Sequence, residues 1–209
     1  MTTDVLQLMR RVKGIYIIPS SIREYSDFWI KMTIPDPMRG LALRRELDGK
    51  FDYVLIDCPP DPGYARIGLY MASYVIVPTD LSAMTLRGTD LFINRLMPQM
   101  IRARQDMYII GIVINRALRK GIPKRTNLVI KDIVDRFRTN NPDIANKLYE
   151  PALFNTLIPQ NRRIGSIVLK RWRVIPKFFE IHPEIAEIFE SLANELEERI
   201  KKITLSLSY

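Results

Sequence analysis

Four short apolar runs recur along the chain, at residues 15–18, 54–56, 74–77 and 109–114, with a fifth segment at 153–158 that is apolar except for Asn155 and Thr156, each closed by a proline, an asparagine or an aspartate. Continuous runs of this length predict strands covered on both faces of a parallel sheet. Between them, apolar residues recur at three- and four-residue steps, which predicts helices over 38–47, 63–71, 86–104 and 127–137. A terminal helix is predicted over 183–203, where Ile185, Phe189, Leu192, Leu196, Ile200 and Ile203 make one stripe. Two further segments read as helical: Val5 to Met9 behind the caps Thr2-Thr3-Asp4 and ended by Gly14, and 22–32, where Tyr25, Phe28 and Trp29 share a face. Strands alternating with helices predict an α/β fold, a mainly parallel sheet with helices on both faces, in one domain over 1–209.

The 54–56 run stops at Asp57 and is followed by Cys58-Pro59-Pro60-Asp61-Pro62. Ligands bind at the carboxyl ends of strands in open α/β sheets, so a carboxylate there is placed for chemistry. An exposed turn aspartate fits the same residues. The longer stretch YVLIDCPPDPGYARIGLYMASYVIVPTDLSAMTLRG resembles the Walker-B and switch region of the ParA/MinD family of partition and positioning ATPases. That pattern is an apolar strand ending D-x-P-P, an alanine-rich helix, a second strand ending V-P, and a loop leading to L-x-G. The resemblance runs from about Leu6 to about Leu196.

The resemblance implies a doubly wound, P-loop NTPase-like fold with ATP and magnesium as cofactors. It makes Asp57 the acid that holds magnesium through water. Asn115 and Arg116 would contact the adenine, and Pro159, Gln160 and Asn161 would close over the base. Read without the resemblance, Asn-Arg and Pro-Gln-Asn are also ordinary turns.

The phosphate loop itself is where the sequence departs from the pattern. A G-x-x-x-x-G spacing occurs at Gly63 to Gly68, but Leu69 and Tyr70 follow where Lys and Ser/Thr should stand. Gly49-Lys50 has Arg44 in place of the required upstream glycine. The family's glycine-rich loop and second aspartate motif normally precede the region where this chain begins, so the sequence resembles the C-terminal two-thirds of a member. Loop amides and the loop lysine supply most phosphate affinity in such sites. These 209 residues alone are therefore expected to bind ATP poorly and to hydrolyse none. A longer native chain, a remnant that pairs with another subunit, and a rearranged stand-alone fold each fit, the first being favoured.

Charge narrows the partners. With 32 Lys and Arg against 23 Asp and Glu, the formal charge is +9, which points to nucleic acid or an anionic surface. Thirteen of those cations fall in two clusters. One holds Arg119, Lys120, Lys124, Arg125, Lys131, Arg136 and Arg138; the other holds Arg162, Arg163, Lys170, Arg171, Arg173 and Lys177. Lys120, Lys124, Arg125, Arg162, Arg163, Lys170, Arg171 and Arg173 are the candidate DNA-binding residues, because related partition ATPases carry nucleoid-binding cations in similar regions. A solvated basic face that keeps the protein soluble is the competing reading.

One cysteine, Cys58, excludes an internal disulfide, and one histidine, His182, leaves a His/Cys metal site without ligands. No apolar run approaches the roughly 18 residues of a membrane span. The 184–202 segment carries six acids against three bases, opposite to the basic amphipathic helix of the membrane-bound MinD branch. The expectation is thus a cytoplasmic, nucleoid-associated ParA-like partition ATPase, of plasmid or chromosome. It would bind DNA non-specifically, form a homodimer, associate with no membrane, and be switched by ATP with a centromere-binding adaptor. A nucleotide-free DNA-binding or regulatory derivative is the alternative, and a MinD-like positioning ATPase is disfavoured.

Overall fold

The computed structural model describes residues 10–12, 15–17, 37–58, 62–118, 121–161 and 182–207. Its contacts divide the chain into two compact units, Met1–Ala72 and Ser73–Tyr209. The segments at 5–9 and 22–32 lie outside the described residues.

In the first unit, β1 (Arg10–Val12) and β2 (Ile15–Ile17) pair antiparallel, with Val12 opposite Ile15. The helix expected to run up to Gly14 is therefore replaced at its end by a strand. Two residues separate the paired segments in the sequence. Helices α1 (Pro37–Leu47) and α2 (Pro62–Met71) follow and pack together. Their approach is close at Gly40, where a Cβ would stand 2.9 Å from the carbonyl oxygen of Ile67.

Between these helices the expected central strand is absent. Residues 54–56 have no regular secondary structure and belong to no ladder, and Val54 and Leu55 are exposed, Leu55 by 86%. Hydrophobicity alone cannot make a strand; it needs a hydrogen-bonded neighbour, and among the described residues none pairs with this segment. The 15–18 expectation is met as a strand, but in the hairpin and not in the parallel sheet.

In the second unit, β3 (Tyr74–Thr79) and β4 (Tyr108–Ile114) pair in parallel from Tyr74–Tyr108 to Thr79–Ile114. The crossover between them is one helical passage. It comprises α3 (Ala83–Leu91), a π turn (Phe92–Leu96) and α4 (Met97–Ala103). Pro98 has no N–H for the regular i−4 bond, and the wider turn just before it bonds Met97 N–H to the Phe92 carbonyl instead. Helix α5 (Lys124–Asn140), a 3₁₀ turn (Pro142–Lys147) and α6 (Pro183–Ser206) complete the unit.

All seven residues of β4 are buried, as the unbroken run YIIGIVI predicts. Strand β3 instead alternates, with Val75, Val77 and Thr79 buried and Ile76 exposed. Thr79 turns toward α3, where it receives a 2.8 Å hydrogen bond from the Thr89 hydroxyl. Tyr74, Tyr108 and Ile110 cluster instead with Ile203, Ile200 and Leu196 of α6. Helices therefore cover both faces of the parallel pair.

The stretch from Leu148 to Pro159 lies beside β4 in parallel, but it forms only isolated bridges: Ile109–Leu148, Ile112–Leu153 and, beyond the strand, Ala117–Pro159. Four backbone bonds hold it: Ile112 N–H to Ala152 O, Phe154 N–H to Ile112 O, Ile158 N–H to Ile114 O, and Ala117 N–H to Ile158 O. What interrupts a regular ladder is Arg199 of α6. Its buried guanidinium donates to the carbonyls of Ile110, Pro151, Ala152 and Leu153 and lies 3.8 Å over the Phe154 ring. Gly111 makes room for it, since at φ 149° a Cβ there would stand 2.5 Å from Arg199 Nη1 and 2.6 Å from the Ala152 oxygen.

Candidate functional site

The carboxyl ends of β3, β4 and the 153–158 segment converge on one rim. Thr79 O accepts from Asn115 N–H at 2.7 Å, joining the loop after β4 to the end of β3. Asn115 Oδ1 then accepts from Arg116 N–H at 2.9 Å, with Arg116 at φ 58°, a left-handed conformation uncommon outside glycine. Gln160 N–H donates to Ala117 O at 3.0 Å, which ties the 159–161 loop to the same rim. Asn115, Arg116 and Gln160 are exposed, and Pro159 and Asn161 half-buried.

Asp80 joins this group, and sequence reasoning had not singled it out. Its Oδ1 accepts from Ser82 N–H at 2.8 Å, while its other oxygen lies 4.0 Å from the Arg116 guanidinium. The Ser82 hydroxyl and N–H, with Arg116 adding its charge, hold the Asp80 carboxyl below the usual carboxylate value. Ser82 in turn caps α3 by accepting from Thr85 N–H at 3.2 Å. The signal was present in Pro78-Thr79-Asp80-Leu81-Ser82, an aspartate two residues before a cap serine at a strand end.

Asp57 belongs to the first unit, where it is exposed directly after the unpaired 54–56 segment. Burial, and then the Asp57 charge, push the neighbouring Cys58 thiol up, which speaks against a nucleophilic cysteine. The cysteine sulfur sits over Gly68, where a Cβ would come within 2.5 Å of it.

For nucleotide, the residues present fit the base end. Asn115 and Gln160 offer amide donors and acceptors, and Arg116 a planar cation, all at a solvent-facing rim. Asp57, the carboxylate that the resemblance assigns to magnesium, belongs to the other unit, and these 209 residues contain no G-x-x-x-x-G-K-[ST] loop. Among the described residues no group of three or more His, Cys, Asp or Glu is placed to hold a metal ion directly.

Of the candidate DNA-binding residues, Lys124 and Arg125 are exposed in the first turn of α5. Cations there oppose the helix dipole, so the helix itself gains nothing from them. Farther along α5, Arg136 is engaged with Asp90 and Asp132, and Arg138 with Glu150. Lys120, Arg162, Arg163, Lys170, Arg171 and Arg173 lie outside the described residues. No helix among the described residues is long and apolar enough to cross a membrane. Helix α6 packs on β4 through its apolar stripe, as its acidic polar face suggested.

The rim stands on the Glu195–Arg199 pair of α6, joined at 2.8 Å. Glu195 also accepts from the backbone N–H groups of Asn155 and Thr156 and from the Thr156 hydroxyl, each at 2.9 Å. Burial acts to raise its carboxyl value, but these donors and Arg199 together outweigh it and hold the group below the ordinary carboxylate range. A depressed folded value contributes stability above the unfolded value of about 4.3, lost as pH falls through the folded value. Urea unfolding of Glu195→Gln should therefore give a stability deficit that is full near neutrality and shrinks in acid. A deficit independent of pH would contradict the assignment.

The chain is similar to known proteins in sequence and in fold. Residues 3–109 match the family described as an AAA domain. Over 199 residues the chain is 25% identical to the sporulation initiation inhibitor protein Soj of Bacillus subtilis (strain 168), covering 92% of this chain and 72% of that protein. Among solved structures it is similar to the cell division ATPase MinD of Pyrococcus furiosus, with TM-score 0.64, 20% identity, and 94% and 71% of the two chains covered. It is also similar to pNOB8 ParA bound to nonspecific DNA, with TM-score 0.59, 18% identity, and 91% and 71% covered.

Proposed function

Because the chain belongs to the AAA-domain family of ParA/MinD ATPases, we propose that it serves in DNA partition, binding duplex DNA non-specifically and responding to adenine nucleotide. The observation that carries this reading is the rim. At the carboxyl ends of adjacent parallel segments, Asn115 N–H is bonded to Thr79 O at the end of β3 and Gln160 N–H to Ala117 O in the loop after β4, and the carboxyl ends of strands are where ligands bind in open α/β sheets. Asn115, Arg116, Pro159, Gln160 and Asn161 receive the base, and Asp57 holds a magnesium-bound water. Lys120, Lys124, Arg125, Arg162, Arg163, Lys170, Arg171 and Arg173 meet DNA phosphates. The protein so read is one ParA-like α/β domain that works as a nucleoid-associated homodimer in the cytoplasm, with a centromere-binding adaptor.

The base end is tested by ligand-observed NMR, titrating ADP and GDP with magnesium against wild type and an Asn115→Ala, Arg116→Ala variant. Weak, adenine-selective binding is expected, about tenfold weaker in the variant, the equivalent of roughly one charged hydrogen bond. Equal binding of the two bases, or an unchanged variant, would remove the base site. A second reading, nucleotide-independent DNA binding, is favoured by the absence of a G-x-x-x-x-G-K-[ST] loop within these 209 residues. DNA titrations with and without magnesium ATP separate the two, because only the first reading moves the dissociation constant.

A further inference from the structure

Helix α3 and the first half of α5 lie side by side and leave an open seam between them. Asn94, in the turn after α3, donates to the Ile133 carbonyl at 3.1 Å, and eight residues farther along each passage Arg102 donates to Asn141 at 3.0 Å, so the two run parallel. Arg136 closes the seam at one end, bridging Asp90 of α3 and Asp132. Val129 and Arg125 precede Arg136 by seven and eleven residues, so all three share the side of α5 turned toward α3. On α3, Met84, Arg87 and Leu91 recur at three- and four-residue steps along the exposed side.

Four apolar side chains stay exposed here, Met84 by 86%, Leu128 by 65%, Leu91 by 52% and Val129 by 43%. Single exposed apolar residues are ordinary on any surface, but several along one seam mark an interaction site. The cations set among them are equally unused. Neither Arg87 nor Arg125 has an ion-pair or hydrogen-bond partner for its guanidinium among the described residues, whereas Arg136 and Arg138 farther along α5 are both paired. Exposed Lys124 and Lys131 extend the positive charge along α5.

We propose that this seam docks an amphipathic helix of a partner protein, one whose apolar stripe is flanked by Asp and Glu. Two parallel helices side by side leave a groove that a third helix can fill. Its apolar residues meet Leu91, Leu128 and Val129, and its carboxylates meet the planar forks of Arg87 and Arg125. Charge complementarity selects the acidic flanks. DNA phosphates would use the same cations but leave the four apolar side chains in water, whereas an acidic helix covers both. The docking site goes beyond the partition reading, and measuring it without DNA or nucleotide keeps the failure of one apart from the failure of the other.

The probe is a synthetic peptide of about 15 residues, roughly 22 Å long as a helix, with Leu on one stripe and Glu on both flanks. Titrated into the full chain and followed by ¹⁵N–¹H NMR, it should shift the amides of Arg87, Leu91, Leu128 and Val129 saturably and leave those of α6 in place. Two controls should each bind at least about tenfold more weakly: a peptide with Gln in place of every Glu, and one of the same composition with its Leu residues scattered round the helix. Leu91→Gln should weaken the acidic peptide about tenfold and Arg87→Gln about fivefold, while Lys201→Gln, at an exposed position of α6, should leave it unchanged. Melting curves check that the three variants fold. Equal binding of the Gln peptide would overturn the acidic half of the proposal, and equal binding of the scattered peptide the helical groove. Undiminished binding in Leu91→Gln, an equal loss in Lys201→Gln, or no saturable shift in wild type would overturn the site. Phosphatidylglycerol vesicles that bind wild type but not Leu91→Gln, with no binding of the peptide, would overturn it in favour of a lipid surface.

Discussion

Arg199→Met is expected to lower the stability of the protein by about 3–5 kcal/mol, the range for breaking a buried ion pair by removing one partner. For a chain of this size that corresponds to a fall in Tm of roughly 6–20 °C. The methionine fills much of the volume, so the loss comes from hydrogen bonds. Four carbonyls, those of Ile110, Pro151, Ala152 and Leu153, lose a donor, and Glu195 loses its buried cation. The effect should reach the rim as well, because Ile158 and Gln160 stand at the end of the segment that Arg199 pins against β4. Amide exchange of residues 153–160 should rise in the variant more than that of α5. A variant as stable as wild type would mean that the bridges beside β4 hold without the guanidinium.

The largest effect on function is expected from the basic clusters. With Lys120, Lys124, Arg171 and Arg173 changed to Ala, up to four DNA phosphates are left without a protein cation. The log-log salt slope of DNA binding should then fall by about 0.9 for each phosphate no longer neutralised. At low salt the weakening should be the same for unrelated duplexes, since phosphate recognition carries no sequence information. Lys124 is exposed at the start of α5, and circular dichroism with a melting curve of the variant checks that folding is kept. Equal affinity and equal slope for the two proteins would remove these residues from the DNA surface and leave them as a solvated face.

The same features explain how far the sequence could be read. Strand β4 and helix α6 were legible because their burial is written locally: seven apolar residues in a row, and a stripe at helical spacing. Residues 54–56 carry the same local signature and yet form no strand, because pairing depends on a neighbour, which no run of Val, Leu and Ile specifies. The 153–158 segment was legible as extended and parallel, but not in its interruption. That comes from an arginine 46 residues farther on, whose guanidinium takes carbonyls that a ladder would use.

At the candidate site, Asn115, Arg116, Pro159 and Gln160 were legible through the family pattern, and the structure ties their loops together. Asp80 was not, because an aspartate before a helix cap reads as a turn residue. Only its approach to Arg116, at 4.0 Å, connects it to the rim. Strand β1 was missed for a different reason: at three residues, two of them arginines, it is too short and too polar for periodicity to register.

The central claim, that this chain is a DNA-partition protein working through the phosphate backbone, is tested most directly by titrating wild-type protein with two unrelated duplexes across a salt series. The account predicts indistinguishable dissociation constants for the two sequences. It also predicts a steep linear fall in log affinity with log salt; neutralising six or more phosphates would correspond to a fall of about 10³ or more between 50 and 200 mM. A flat salt dependence, or strong preference for one duplex, would contradict it.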